Sequence, residues 1–394
     1  MGESDQNGNE QYSVALSSAI TSLPSINTPL TTTQIKSLHP VKLFTLSNSN
    51  AGSGVSTPSS TSLFVPYTSI EHTPQGNYFI TTSPDGSLQL YDALRARSYK
   101  TIYSKKYGCA NAMFTLRTAT QSTPSSCVIS STISVSKDNI SNNSLRFLDL
   151  NTNSFIRYFQ GHTKQITSIV SSPSSTFGLD SFYSSSMDGT VRVWDSRLEK
   201  CFACLAGMGY NPVISIERSG TIMAIWNSSK STIFLVPVSS FPTGIIGEIK
   251  IESTSNTHRF EKMVWADKGL IIMDAPGYDK IVVDTFKMKV VGILTGVTPF
   301  IISNDSDDVT RNGSTDVSPD GLWCISGSGD GSILAWDLST LFNSPTFQKL
   351  TPVRIRDENL IDKKLVPRIL AVNPKLGCIV TADTEIVMSI YDIK

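Results

Sequence analysis

The stretch that decides the fold is Ser184-Ser185-Ser186-Met187-Asp188-Gly189-Thr190-Val191-Arg192-Val193-Trp194-Asp195, with Gly161-His162 upstream of it. Asp188-Gly189 is typical of a tight turn between strands, because glycine tolerates positive φ and aspartate can bond its own backbone. From residue 190 to residue 195 the side chains alternate with a period of two, as expected of a β-strand. The stretch therefore predicts two antiparallel strands joined by a short turn.

The same strand ending recurs along the chain. Strands that close in an apolar or aromatic residue followed by Asp end at Asp92, Asp149, Asp195, Asp284, Asp337 and Asp392, and Pro237 takes the place of Asp within the longest gap. Successive endings are 42 to 57 residues apart, a little above the period of a propeller blade of about 40–45 residues. Asp85-Gly86 and Asp330-Gly331 repeat the turn in phase, which a β-sandwich array would not explain. The pattern predicts an all-β, seven-bladed β-propeller.

The Gly-His and Trp-Asp pair resembles the WD40 repeat, in which each repeat builds one four-stranded blade. The resemblance implies a buried hydrogen-bonded tetrad made of His162, Ser184 or Ser186, Asp188 and Trp194. Such residues make sense only as a set, because a buried polar group without a partner costs about 1–3 kcal/mol. This signature is structural and indicates no chemistry.

Closure of the ring is predicted from the two ends of the propeller. The last blade lacks an outer strand after residues 388–392, whereas residues 40–46 form a spare strand before the first full blade. Pairing these two segments would close the ring and remove exposed sheet edges. We therefore expect an N-terminal strand to complete the last blade.

The chain of 394 residues is predicted to form one propeller domain, from residue 36 to residue 394, after a disordered Ser/Thr-rich tail at residues 1–35. Loop insertions are expected near residues 50–62, 118–143, 303–312 and 341–364, where Ser, Thr, Gly, Pro or charged residues cluster.

Bulk composition excludes several classes of protein. Lys+Arg and Asp+Glu both number 33, so there is no basic excess for direct nucleic-acid binding. No membrane span or signal peptide is expected, because no apolar stretch is long enough and the first residues are polar. The six cysteines fit reduced thiols in a nuclear or cytosolic protein better than a disulfide framework.

The sequence also predicts no catalytic, cofactor-binding or metal site. The four histidines are isolated except for His162 in the tetrad, and no nucleophile elbow, phosphate loop or dinucleotide fingerprint is present. Cys201 and Cys204 have metal or redox spacing, but no second pair completes a site, so a buried outer strand is the preferred interpretation. The chain is predicted to be a scaffold and not an enzyme.

Other kinds of binding propeller are alternatives. Phosphoinositide binders need a Phe-Arg-Arg-Gly type segment, which is absent. Trp194-Asp195-Ser196-Arg197 matches the box by which substrate receptors of cullin-RING ubiquitin ligases dock their adaptor, although ordinary blades also have Arg at this position. A substrate-receptor function therefore remains the alternative hypothesis.

Two segments point to a narrower family. The link Arg97-Ser98-Tyr99-Lys100-Thr101-Ile102-Tyr103-Ser104-Lys105-Lys106-Tyr107-Gly108 and residues 144–162 closely resemble the WD40 subunit of the COMPASS histone methyltransferase complex, which yeasts also have in the cleavage and polyadenylation factor. The resemblance implies a nuclear, non-catalytic propeller that is monomeric within a hetero-complex. Implied partners are the N-terminal region of the SET-domain enzyme, other COMPASS subunits and a protein phosphatase module, with functions in histone H3 lysine-4 methylation, mRNA 3'-end processing and transcription termination.

A candidate partner contact lies in the first of these segments. Two tyrosines and two lysines at a predicted loop form an amphipathic mixture that is common in interfaces, and an arginine of the second segment completes the set. The candidate residues are Tyr103, Lys105, Lys106, Tyr107 and Arg157. Packing of both tyrosines within the blade, with solvated lysines, is the alternative.

Overall fold

The described part of the chain folds into a ring of seven β-sheets. The computed structural model describes residues 29–44, 67–83, 85–104, 107–115, 124, 126–130, 143–171, 181–252, 260–275, 278–300, 313–342, 344, 346–355 and 365–391. Within these ranges the strands form six four-stranded sheets and one five-stranded sheet, and each sheet is one blade. The prediction of an all-β, seven-bladed propeller is confirmed.

Each blade is built from strands that follow one another along the chain. Blade 1 contains β2 (Ser69–His72), β3 (Tyr78–Thr82), β4 (Ser87–Asp92) and β5 (Arg97–Tyr103). Blade 2 contains β6 (Ala112–Phe114), β7 (Ser126–Ile129), β8 (Leu145–Asp149) and β9 (Ser154–Phe159). Blade 3 contains β10 (Ile166–Ser171), β11 (Ser181–Ser186), β12 (Thr190–Asp195) and β13 (Ala203–Leu205). Blades 4 and 5 contain β14 (Val213–Ile216), β15 (Ile222–Asn227), β16 (Thr232–Pro237) and β17 (Gly247–Lys250); and β18 (Lys262–Trp265), β19 (Leu270–Asp274), β20 (Lys280–Asp284), β21 (Lys289–Leu294) and β25 (Gln348–Leu350). Blades 6 and 7 contain β22 (Thr315–Val317), β23 (Trp323–Gly327), β24 (Ile333–Asp337) and β26 (Val353–Ile355); and β27 (Ile369–Val372), β28 (Cys378–Ala382), β29 (Ile386–Ile390) and β1 (His39–Phe44).

The hydrophobic core lies between blades. The inner strand of every blade contacts the inner strands of both neighbouring blades, and the circle closes between β27 and β2. Between each two successive sheets lies a cluster of buried apolar side chains. Because a strand points alternate side chains to opposite faces, each sheet contributes one row of side chains to the cluster before it and one row to the cluster after it.

Strand β1 closes the ring as predicted. It pairs antiparallel with β29 and forms the outer edge of blade 7. Its last residue, Phe44, packs edge-on against Tyr91 at 4.8 Å between ring centroids and against Phe79 at 6.2 Å. The closing strand therefore bonds to the last blade through its backbone and contacts blade 1 through its aromatic side chain.

The folded region begins before residue 36, so the predicted tail at residues 1–35 is too long. Residues Thr32–Lys36 form helix α1, which begins with a capping box between Thr31 and Gln34 and buries Ile35 completely. The Nε1–H group of Trp323 donates to the carbonyl of Leu30 at 2.9 Å. Polar composition suggested disorder, but one buried side chain and a good cap are enough to order a short helix against blade 6. Residues 1–28 lie outside the described residues.

The predicted insertions correspond only in part to loops. Residues 341–364 include β25 and β26, the fifth strand of blade 5 and the outer strand of blade 6, because Val353 and Ile355 alternate with Arg354 after the proline that suggested a loop. Residues 118–143 include strand β7, and residues 339–342 form helix α2 (Ser339–Phe342). The predicted insertions at residues 50–62 and 303–312 lie entirely outside the described residues. Short 3-10 helices occupy Val238–Ser240 and Asp267–Gly269. No helix of the described ranges is long and apolar enough to cross a membrane.

Candidate interaction site

The four side chains predicted to form a tetrad meet in blade 3. Strands β11 and β12 place Ser184 and Trp194 on the same sheet, and the indole Nε1–H group donates to Ser184 Oγ at 2.8 Å. Ser184 Oγ lies 2.7 Å from His162 Nε2, and His162 Nδ1 lies 3.0 Å from Asp188 Oδ2. With neutral histidine, one direction of donation satisfies all of these atoms, from Trp194 to Ser184, from Ser184 to His162 and from His162 to Asp188.

Burial and hydrogen bonding determine the charge states of His162 and Asp188 in the tetrad. Burial lowers the pKa of His162, which keeps the imidazole neutral, although Asp188 opposes this effect. Burial would raise the pKa of Asp188, but the hydrogen bonds from His162, Thr190 and the Thr163 N–H group outweigh burial and hold that pKa well below its usual range. Since the polar atoms of the tetrad bond to one another and to the backbone, the arrangement fixes the loops at this edge of blade 3.

The three described candidate contact residues lie on different faces of blades 1 and 2. Lys105 and Lys106 lie outside the described residues. Tyr103 is opposite Ser87 in the β4–β5 register and points to the face of blade 1 that looks toward blade 7, whereas Ile102 points toward blade 2. Arg157 is opposite Phe147, on the face of blade 2 that packs against blade 3. Of the described candidates, only Tyr107 lies between blades 1 and 2.

Tyr107 is held by a buried arginine that the sequence analysis did not select. The side chain of Arg146 donates to Ser104 Oγ at 2.5 Å, to the Gly108 carbonyl at 2.7 Å and to the Ser130 carbonyl at 3.3 Å. Its guanidinium lies 5.1 Å from the Tyr107 ring centroid, within the range of a cation–π contact. Arg146 therefore holds the link between blades 1 and 2 in place. The sequence signal that could have identified Arg146 is a charged residue among apolar residues of a strand.

The segment Trp194–Arg197, which matches the adaptor-docking box of ubiquitin-ligase receptors, forms hydrogen bonds within itself. Arg197 Nε and Nη2 donate to the two carboxylate oxygens of Asp195, at 2.9 and 2.6 Å respectively. These bonds, with the Arg197 N–H group, lower the pKa of Asp195, which burial opposes. The guanidinium is paired within its own strand end and remains largely exposed.

The inner strands place one titratable cluster at the centre of the ring. Burial raises the pKa of Glu71 on β2 to about 7, an effect that Lys262 on β18 opposes and Asp316 on β22 reinforces. Asp316 Oδ2 accepts from the Val372 N–H group at 2.9 Å, which ties blade 6 to blade 7. The carboxylate of Asp316 therefore has a bonding role between blades.

The cysteines of the described residues form no disulfide bonds with one another, and most are buried. Burial raises the pKa of Cys109 to about 11 and that of Cys378 to about 12, so these thiols stay protonated near neutral pH. Cys204 lies on the outer strand β13 as predicted, but it is exposed rather than buried because this edge of blade 3 faces solvent. No group of three or more His, Cys, Asp or Glu side chains in the described ranges could hold a metal ion.

Comparisons with known proteins agree with this architecture. The family model described as "WD domain, G-beta repeat" matches residues 153–195 and 304–337. The chain is similar to the COMPASS component SWD2 of Saccharomyces cerevisiae, with 28% identity over 83% of this chain and 91% of that protein. It is also similar to the Set1 complex component swd2 of Schizosaccharomyces pombe, with 29% identity over 54% of each chain.

A solved structure, the C-terminal WD40 domain of Sif2, shares the fold, with a TM-score of 0.58 and 13% identity over 83% of this chain and 82% of that chain. The predicted resemblance to the WD40 subunit of the COMPASS complex is confirmed by the two relatives. The chain is a seven-bladed β-propeller that contains WD40 repeats and is similar to the Swd2 components of the COMPASS and Set1 complexes.

Proposed function

We propose that the chain is a non-catalytic scaffold subunit of a nuclear SET-domain methyltransferase complex and supports methylation of histone H3 on its fourth lysine. The observation that carries this proposal is the similarity to a protein named as a COMPASS component, which extends over 83% of the chain. Similarity of that extent includes most of the ring and is not confined to the repeat signature.

The geometry supports a scaffold. Every described blade packs against two neighbours through a buried apolar cluster, so the ring presents its loops and outer strands from a stiff frame. A stiff frame binds partners with little loss of conformational entropy. The buried histidine of the tetrad and the protonated buried thiols have structural positions, which favours binding over catalysis.

Membership of the cleavage and polyadenylation factor, through a protein phosphatase module, is a further part of the proposal. It rests on the resemblance of residues 97–108 and 144–162 to the subunit that yeasts share between the two assemblies. Recovery of phosphatase subunits together with polyadenylation factors would support this second membership.

The test is affinity purification of the tagged full chain from nuclear extract, followed by mass spectrometry. We expect a SET-domain methyltransferase to be recovered. Recovery of a cullin-RING adaptor in its place, with loss of that adaptor in Arg197→Ala, would support the ubiquitin-ligase alternative and contradict the scaffold proposal.

A further inference from the structure

The outer strands of blades 1 and 2 form an aromatic groove. Tyr99 on β5 packs edge-on against Tyr78 at 5.7 Å between ring centroids, and Tyr107 packs edge-on against Tyr158 on β9 at 6.3 Å. Phe155 lies 5.8 Å from Tyr158 on the same face of β9. We call these five side chains the blade 1–2 groove.

Both sets of rings lie on the sides of blades 1 and 2 that look toward each other, and a β-bulge between Ser98 and Lys100 turns Tyr99 to this side. Ile102 is opposite Leu88 and belongs to the apolar cluster between blades 1 and 2, as does Tyr78. On the other blade, Tyr158 is opposite Arg146, whose guanidinium reaches back to the link after blade 1. The groove is therefore lined from both sides and has the buried Arg146 beneath it.

The groove is partly open to solvent. Tyr99 is 50% exposed and Tyr158 is 39% exposed. The outer strands β17 and β26 instead present charged side chains, namely Glu248 and Lys250 on β17 and Arg354 on β26. Exposed tyrosines bury a large apolar area with few rotatable bonds when a partner covers them, and they are enriched at interfaces.

The end of the groove beside Tyr78 has an excess of positive charge, because two arginines share one carboxylate there, whereas Lys100 lies near the carboxylate of Asp149. Arg95 and Arg97 are largely exposed beside Tyr78 and share the buried carboxylate of Asp92. Lys100 crosses from β5 and donates to the Leu150 carbonyl of blade 2 at 2.5 Å. The chain as a whole has a formal net charge of zero, so this cationic end is a local property that favours an acidic partner.

We propose that the blade 1–2 groove binds an extended acidic segment of a partner protein, which inserts an apolar side chain between the two tyrosine pairs and places its carboxylates beside Arg95 and Arg97. This inference rests on the proposed scaffold function and names the surface that the function would use. The proposed groove includes Tyr107, one of the predicted contact residues, whereas Tyr103 lies on the opposite face of blade 1.

The chain offers a matched control for the test. Tyr103 lies on the same strand as Tyr99 and is 52% exposed, but it points away from the groove. Full-length tagged chains with Tyr99→Ser and Tyr158→Ser together, with Arg97→Glu, with Tyr103→Ser and with Lys250→Glu would be purified from nuclear extract. Each variant's melting temperature would first be checked to lie within about 3 °C of the wild-type value, so that loss of fold is excluded.

We expect the groove variants to lower recovery of the SET-domain methyltransferase at least about tenfold, the equivalent of about 1.4 kcal/mol, and the two control variants to recover it as the wild type does. A photo-crosslinking amino acid at position 99 should attach to a partner segment with more Asp and Glu than Lys and Arg, whereas the same group at position 103 should not. Unchanged recovery by folded groove variants, or attachment to a neutral or basic segment, would overturn the groove assignment. Failure of the wild-type chain to recover any methyltransferase would overturn the proposed function itself.

Discussion

One hydroxyl oxygen, that of Ser184, connects Trp194 to His162, and its removal tests the tetrad directly. Ser184 is fully buried, so Ser184→Ala leaves the Trp194 N–H group and His162 Nε2 without their partners at 2.8 and 2.7 Å. A buried polar group without a partner costs about 1–3 kcal/mol. Since two groups are affected and little volume is lost, we expect the free energy of unfolding to fall by about 2–4 kcal/mol.

Ser186→Ala is the matched control, because the sequence pattern alone allows either serine in the tetrad. Ser186 Oγ donates to the Lys164 carbonyl at 2.9 Å and accepts from the Asp188 N–H group at 3.2 Å. Both partners are backbone groups in partly buried loops that water can reach, so we expect a loss of about 1 kcal/mol.

The assay is equilibrium unfolding in urea at neutral pH, followed by tryptophan fluorescence and circular dichroism. Combining Ser184→Ala with Trp194→Phe should give a coupling energy of about 1 kcal/mol, because each change removes the same hydrogen bond. Equal losses for the two serine variants, or strict additivity of Ser184→Ala and Trp194→Phe, would refute the tetrad.

Three further predictions concern the closure, the centre of the ring and the link between blades. Phe44→Ala should lower the free energy of unfolding by about 3 kcal/mol, because the ring packs on blade 1, and an unchanged melting temperature would contradict a stabilising role of the closing strand. Burial raises the pKa of Glu71 from 4.5 to about 7, so the folded protein retains a proton that the unfolded chain releases, and the associated stability is present at low pH and lost as pH rises from about 4 through 7. Glu71→Gln should therefore match the wild type in urea unfolding near pH 4 and exceed it by about 2–3 kcal/mol at pH 8; a gain that is independent of pH would contradict this reasoning. Arg146→Lys should cost about 3 kcal/mol, because one ammonium group cannot reproduce the guanidinium bonds to two carbonyls and a hydroxyl, and a thermal midpoint equal to that of the wild type would disprove the fastening role.

Much of the fold could be predicted because its signals are local. The Asp-Gly turn and the Asp that ends most third strands depend on residues close together in the chain, and they recur at the blade period. Pro237 in place of Asp did not hide blade 4, since β16 ends at that residue. Ring closure by β1 also followed from counting strands in the first and last blades.

The remaining features depend on contacts between distant residues. Helix α1 has a polar sequence, and the burial of Ile35 against blades 6 and 7 orders it together with its capping box. Strand β25 pairs in parallel with β21, a partner far away in the chain. The groove between blades 1 and 2 likewise arises from two strands about fifty residues apart, so the sequence could select Tyr107 but not the ring that it faces, Tyr158.

The most direct test of the proposed scaffold function is a methyltransferase assay with purified components on histone H3. The SET-domain complex would be assembled with and without this chain, and methylation of lysine 4 would be measured beside the isolated chain. We expect the isolated chain to transfer no methyl groups and its omission to lower the yield of the complex several-fold. Full methylation in its absence, or methyl transfer by the chain alone, would contradict a scaffold that acts only by binding.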